Sequence, residues 1–144
     1  HAELYPGLSE LLFHLEAGDI AWGVVTNKPR TFTEPLLDML GLTPGSVVCP
    51  QDVTHPKPHP ESLEKACRDL ACEASKTVYI GDHERDIAAG RAAGMHSIAA
   101  AYGYIEPGDD AANWGADGLV KHSSEIARYL FDETFDTEHG ATHG

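Results

Sequence analysis

Three short polar segments each follow an apolar run, and together they could bind a phosphate group and a metal ion. Thr26 and Asn27 come directly after the run IAWGVV, and Lys57 stands between two prolines in the loop HPKPHP. Asp82 and Asp86 follow the apolar run TVYIG in the segment GDHERD. A hydroxyl, an ammonium in a restricted backbone and two hard oxygen ligands suit a phosphate with Mg²⁺.

Each of these features has an ordinary explanation when it is taken singly. A lysine in a proline-rich loop is usually a solvated surface residue, and an aspartate after a strand is often a turn former or a helix cap. The order of the three segments along the chain is more specific, provided that the fold brings them to one place.

Alternating apolar patterns predict the elements that would do this. Helical spacing predicts helices over residues 8–17, 31–40, 60–70, 84–94 and from Ser123 or Ser124 to about 131. Short β-rich runs predict strands over residues 20–25, 47–49, 77–80, 96–101 and 118–121. Strand and helix in alternation favour a parallel sheet covered on both faces, whose sites lie beyond the carboxyl ends of its strands.

Composition excludes several partners. With 23 acidic residues against 10 lysines and arginines, the formal charge of −13 opposes nucleic-acid binding. No apolar stretch approaches the roughly 20 residues of a membrane helix. Three cysteines without a pairing pattern favour free thiols in a reducing compartment, and so a cytoplasmic protein. We expect a small-molecule ligand and a monomer or homodimer.

The chain resembles the haloacid dehalogenase superfamily of phosphatases, in its phosphoglycolate phosphatase-like branch. VVTNK is similar to the second motif of that family, PKPHPE to the third and VYIGDHERDIAAGRAAGM to the fourth. The segments YGYIEP and NWGAD resemble more particularly the N-acetylmuramic acid 6-phosphate phosphatases. The likeness covers about residues 4–131.

The resemblance implies a role for each polar residue. Thr26 would hydrogen-bond the phosphoryl oxygens with help from the backbone of Asn27, and Lys57 would stabilise the nucleophile and the developing charge. Asp82 would ligate Mg²⁺, directly or through water. Asp86 would orient or complete the metal shell.

The first motif of the family, D-x-D-G-T, does not occur in these residues. It would supply the aspartate that attacks phosphorus, and it lies on the central strand of the family's sheet. We therefore expect a three-layer α/β/α Rossmann-like core, residues 1–131, that lacks its first central strand and the helical cap. Without that strand the others would form two pairs with a gap, and residues 132–144 would be a flexible tail.

The sequence thus predicts a Mg²⁺-dependent phosphomonoester hydrolase that acts on a small metabolite such as phosphoglycolate or N-acetylmuramic acid 6-phosphate. The reaction would pass through an aspartyl-phosphate whose nucleophile lies upstream, so that these residues alone would be inactive. The alternative is a noncatalytic domain that binds phosphate or metal. A receiver-type signalling domain fits less well, since its acids would precede the lysine.

Other polar and aromatic residues have less specific predictions. His55 and His59 flank the Pro-Lys-Pro segment, so no helix places them on one face for zinc, and solvated roles are favoured. His83 is a candidate substrate contact because it follows Asp82. Tyr104 and Trp114 are expected to pack their long loop over the core.

Overall fold

The computed structural model describes residues 8–101, 108–122, 125–126 and 140–143, with side chains from residue 11 to residue 126 of these ranges. The helices are α1 (Leu8–Ala17), α2 (Arg30–Leu40), α3 (Glu61–Leu70) and α4 (Glu84–Ala92). The strands are β1 (Trp22–Val25), β2 (Ser46–Val48), β3 (Thr77–Gly81), β4 (His96–Ala100), β5 (Gly118–Val120) and β6 (Gly140–His143). Residues 125–126 are helical, and the rest of the predicted last helix, like Tyr104, lies outside the described residues.

The six strands form one parallel sheet in the order β2-β1-β6-β3-β4-β5. The prediction of a parallel α/β sheet is confirmed. Since all strands point the same way, their carboxyl ends lie along one edge of the sheet.

Two apolar clusters cover the faces of the sheet. On one face α1 packs through Leu11 and Leu15 against side chains of β1, β3, β4 and β5. On the other face α3 and α4 pack through Leu63, Ala66 and Ala89 against Val25, Val48 and Tyr79. All five residues of β3 are buried, as a central strand with both faces covered requires.

The boundaries differ from the predictions where local hydrogen bonds compete with the apolar pattern. Ile20 was predicted to begin the first strand, but its N–H donates to the carbonyl of Leu15 and closes the end of α1. The strand therefore begins at Trp22. Pro35, expected in the first turn of its helix, lies inside α2, which begins at Arg30.

The largest difference from the sequence-based expectation is at the chain's last described residues. β6 lies between β1 and β3, in register with both, so that the sheet is continuous and has no gap. Residues 140–143 are therefore a strand, although a frayed tail was expected there. For residues 132–139, which lie outside the described part, the tail stays a prediction.

Candidate active site

The carboxyl edge of the sheet brings the three predicted segments together. Thr26 follows β1 and Asp82 follows β3, while the loop between β2 and α3 carries Lys57. Two contacts join the loop that carries Lys57 to the end of β1 and to the loop that follows it. The side chain of Asn27 donates to the carbonyl of Lys57 at 3.1 Å, and the Lys57 ammonium donates to the carbonyl of Val25 at 3.0 Å.

Thr26 lies between the two residues that contact Lys57. Its backbone N–H extends the sheet by donating to the carbonyl of Val48, and its Oγ1 accepts the N–H of Lys28 at 3.0 Å. The tight loop is thus held by its own hydroxyl. Among the described residues, the O–H of Thr26 donates to no acceptor.

Lys57 is buried, with a side-chain exposure of 3%, so the surface alternative for this lysine is wrong. Its peptide bond to Pro58 is cis. The ammonium lies 2.6 Å from the Asp86 carboxylate and 2.7 Å from the Tyr79 hydroxyl, in addition to the Val25 carbonyl. Burial lowers the pKa of Lys57, and the opposing charge of Asp86 counteracts part of that shift.

Asp86 is a hub of hydrogen bonds at the start of α4. Its Oδ1 contacts Lys57, and its Oδ2 accepts the backbone N–H groups of Asp82 and His83, both at 3.1 Å. The carboxylate is 3% exposed. It also lies at the positive end of a helix, where a negative charge is favoured. Asp86 therefore holds the turn after β3 against the lysine.

The turn after β3 begins with Gly81 because there is no room for a side chain at this position. A methyl group built on its Cα would overlap the Cβ of Asp86. The absence of a side chain lets the Asp86 carboxylate lie directly against the end of β3. The Gly-Asp pair of the motif therefore depends on the aspartate four residues after Asp82.

Asp82 is the exposed acid of the site. Its side chain is 37% exposed, and its Oδ1 lies 2.7 Å from Nδ1 of His83, which is 39% exposed. One ligand atom from each of Asp82, His83 and Asp86 lies within 4.8 Å of the others. Of the three groups, Asp82 has the most freedom to accept a cation, because Asp86 is buried and committed to four hydrogen-bond partners.

Tyr79 is the site residue that sequence reasoning missed. It is fully buried in β3, and its hydroxyl contacts Lys57. Burial, followed by the nearby charge of Asp86, raises the pKa of Tyr79 well above its usual value. The alternation of β3 could have found it, because Thr77, Tyr79 and Gly81 share one face and Gly81 contacts Asp86.

His55 and His59 organise the loop before α3. The rings of His55 and His59 are 4.7 Å apart and exposed. Nδ1 of His59 accepts the N–H of Glu61, whose carboxylate accepts the N–H groups of Thr54 and His55. A solvated, loop-forming role agrees with this arrangement.

A shallow cleft of about 510 Å³ lies beside the lysine loop and α4. Its lining residues are Pro58, Glu84, Arg85, Ala88, Arg91 and Trp114. Trp114 packs against Ile87, Ala99 and Ala111, and its indole N–H donates to Asp109 at 2.9 Å, so its predicted packing role is confirmed.

Comparison with known proteins decides the family. Residues 1–100 match the model of the haloacid dehalogenase-like hydrolases. The chain belongs to the haloacid dehalogenase-like hydrolase family. The resemblance drawn from the motifs is therefore confirmed.

Relatives of the chain include two N-acetylmuramic acid 6-phosphate phosphatases. That of Pseudomonas putida is 44% identical over 132 residues, which are 90% of this chain and 59% of the relative. That of Pseudomonas aeruginosa is 48% identical over 128 residues, which are 88% of this chain and 57% of the relative. A phosphoglycolate phosphatase of Xanthomonas campestris is 39% identical over 127 residues, or 87% of this chain and 58% of the relative.

Solved structures confirm the fold of the chain. A predicted phosphoglycolate phosphatase from Haemophilus somnus superposes with a TM-score of 0.79 at 27% identity, over 88% of this chain and 56% of that one. A Pseudomonas syringae hydrolase gives 0.80 at 23% identity, over 91% and 60%, and shows the fold alone. The chain spans less than two thirds of the length of these relatives.

No helix of the described residues is long and apolar enough to cross a membrane.

Proposed function

We propose that the intact protein is a Mg²⁺-dependent phosphatase for a small phosphorylated metabolite. The observation that supports this most is the cluster at the carboxyl edge of the sheet. A buried ammonium, Lys57, and a half-exposed carboxylate, Asp82, are held on either side of Asp86. The names of the relatives favour phosphate-ester hydrolysis over other reactions of the family.

The donor set fits Mg²⁺ in type and exposure. Asp82 offers a carboxylate to solvent at a strand end, which suits a hard cation that keeps several of its waters. Asp86 would hold the Asp82 turn in place and would not be a direct ligand, since its oxygens already accept four hydrogen bonds. The ion, when bound, would neutralise charge on the phosphoryl oxygens.

The chain's own residues would bind and orient the phosphoryl group. Thr26 would donate its remaining O–H to a phosphoryl oxygen, and Asn27 keeps the lysine loop close by bonding the Lys57 carbonyl. Lys57 would stabilise the negative charge that develops as the bond to the leaving oxygen breaks. These residues bind and polarise the ester, but none of them is the nucleophile of the family.

The nucleophile would come from an upstream strand of the intact protein. Its carboxylate would attack phosphorus, the ester oxygen would leave, and water would then hydrolyse the aspartyl-phosphate. β6 pairs with β1 and β3, the two strands that flank the central strand in the family. We propose that the upstream strand takes this position in the intact protein and displaces β6.

Phosphate release from p-nitrophenyl phosphate, with and without EDTA, tests this proposal. We expect activity in the longer protein, its loss with EDTA, and none in residues 1–144 alone. An inactive longer protein that still binds phosphate would instead favour the noncatalytic alternative. The ratio of kcat/KM for phosphoglycolate and N-acetylmuramic acid 6-phosphate would then identify the better substrate.

A further inference from the structure

Tyr79 is a buried residue whose hydroxyl lies beside the Lys57 ammonium. It projects from β3, and its Oη accepts a hydrogen bond of 2.7 Å from the Lys57 ammonium. Two further acceptors lie near its own proton. The carbonyl of Val25 is 3.4 Å away and the Oδ1 of Asp86 is 3.5 Å away.

The hydrogen bonds of Lys57 leave its ammonium without a spare donor. An ammonium has three N–H donors, and here they are matched by the Val25 carbonyl, the Tyr79 hydroxyl and the Asp86 carboxylate. A phosphoryl oxygen can therefore reach a Lys57 proton only after one of these partners gives way.

The three partners differ in the cost of releasing them. Separating Asp86 from Lys57 would leave two buried opposite charges unpaired, which is the most costly change. The Val25 carbonyl belongs to the backbone of the central sheet and cannot turn. The Tyr79 hydroxyl is neutral, so losing the Lys57 donor exposes no unpaired charge, and its own O–H keeps the Val25 carbonyl or the Asp86 carboxylate as an acceptor.

We propose that Tyr79 is a positioning residue for Lys57. Its hydroxyl fixes the ammonium at the carboxyl edge of the sheet and gives up its place to the reacting phosphoryl oxygen. The inference rests on the proposed phosphatase function, because it assumes that Lys57 meets a phosphoryl group. It gives a role to a residue of the fourth-motif segment for which the family resemblance named none.

This role predicts a particular kinetic pattern for Tyr79→Phe. Without the hydroxyl, the ammonium is held by two partners, and it meets the transition state in a less defined position. We expect kcat to fall about tenfold, because the ammonium is placed less precisely against the phosphoryl oxygen. KM should stay the same or fall, because a competitor for the Lys57 proton has been removed.

Thr77→Val is the matched control. Thr77 lies on the same face of the same strand, is equally buried, and donates its hydroxyl to the Glu73 carbonyl at 2.7 Å, away from the site. Both variants lose one buried hydroxyl and keep the side-chain shape. Thr77→Val should lose thermal stability and retain the kcat of the wild type.

The experiment measures kcat and KM in the longer, intact protein, and the affinity of inorganic phosphate by calorimetry. A wild-type kcat for Tyr79→Phe, or the same loss of kcat in Thr77→Val, would overturn the proposal. So would a phosphate affinity about tenfold weaker in Tyr79→Phe, since the tyrosine would then be a phosphate ligand itself. If the wild type released no phosphate from any ester, the phosphatase function would fail instead, and the affinity comparison would still decide the role of Tyr79.

Discussion

Lys57 and Asp82 both contact Asp86, but Lys57 is buried and Asp82 is open to solvent. The lysine is 3% exposed with all three N–H donors matched, whereas Asp82 is 37% exposed and shares one oxygen with His83. Burial makes the lysine side depend on a complete set of partners. Exposure leaves the aspartate side free to exchange them. In the proposed function, the lysine side would therefore position charge and the aspartate side would accept a ligand.

Asp86→Ala should give the largest effect, because it leaves the buried Lys57 charge without its partner. We expect a loss of about 3–5 kcal/mol in the free energy of unfolding, measured by urea titration. Asp82→Ala is the control on the exposed side, and its loss should stay below about 1 kcal/mol. Equal losses in the two variants would remove the distinction between the two sides.

Gly81→Ala should be next, because the new methyl group meets the Cβ of Asp86. A cost of about 1–3 kcal/mol is expected for such overpacking, with a matching fall in Tm. Gly18→Ala has room for its methyl group at ordinary contact distance. That control should change the unfolding free energy by less than about 1 kcal/mol. If Gly81→Ala kept the unfolding free energy of the wild type, Asp86 would not be packed against the end of β3.

Asp82→Asn tests the exposed side by ligand binding rather than by stability. Mg²⁺ affinity, measured by calorimetry in the longer protein, should fall at least about tenfold, while the Tm without metal stays unchanged. His83→Gln is the companion variant, since Nδ1 of His83 contacts Oδ1 of Asp82. An unchanged Mg²⁺ affinity in Asp82→Asn would contradict the metal role of this aspartate.

His59→Ala should have the smallest effect. It removes an exposed acceptor for the N–H of Glu61, and the loop keeps the contacts that Glu61 makes with Thr54 and His55. A change of about 0.5 kcal/mol or less in unfolding free energy is expected. A loss as large as that of Asp86→Ala would mean that the exposed loop, and not the buried pair, holds Lys57 in place.

The sequence by itself determined the order of the elements and the residues at the strand ends. The spacing of apolar residues predicted alternating helices and strands, and hence a parallel sheet. The polar residues Thr26, Lys57, Asp82 and Asp86 follow the predicted strands, which sets them at the carboxyl edge of that sheet. These features depend on a few neighbouring residues, and a local pattern records them. The family followed from the same motifs.

The tertiary structure alone decided which of these residues are buried and what they contact. The proline-rich loop around Lys57 left a solvated surface lysine as an alternative to the site role, but Lys57 meets Tyr79 and Val25, which are 22 and 32 residues away along the chain. Gly140–His143 lies in a polar stretch without a strand period, and it is a strand because it pairs with β1 on one side and with β3 on the other. Contacts between distant segments carry no local period, and only the folded chain specifies them.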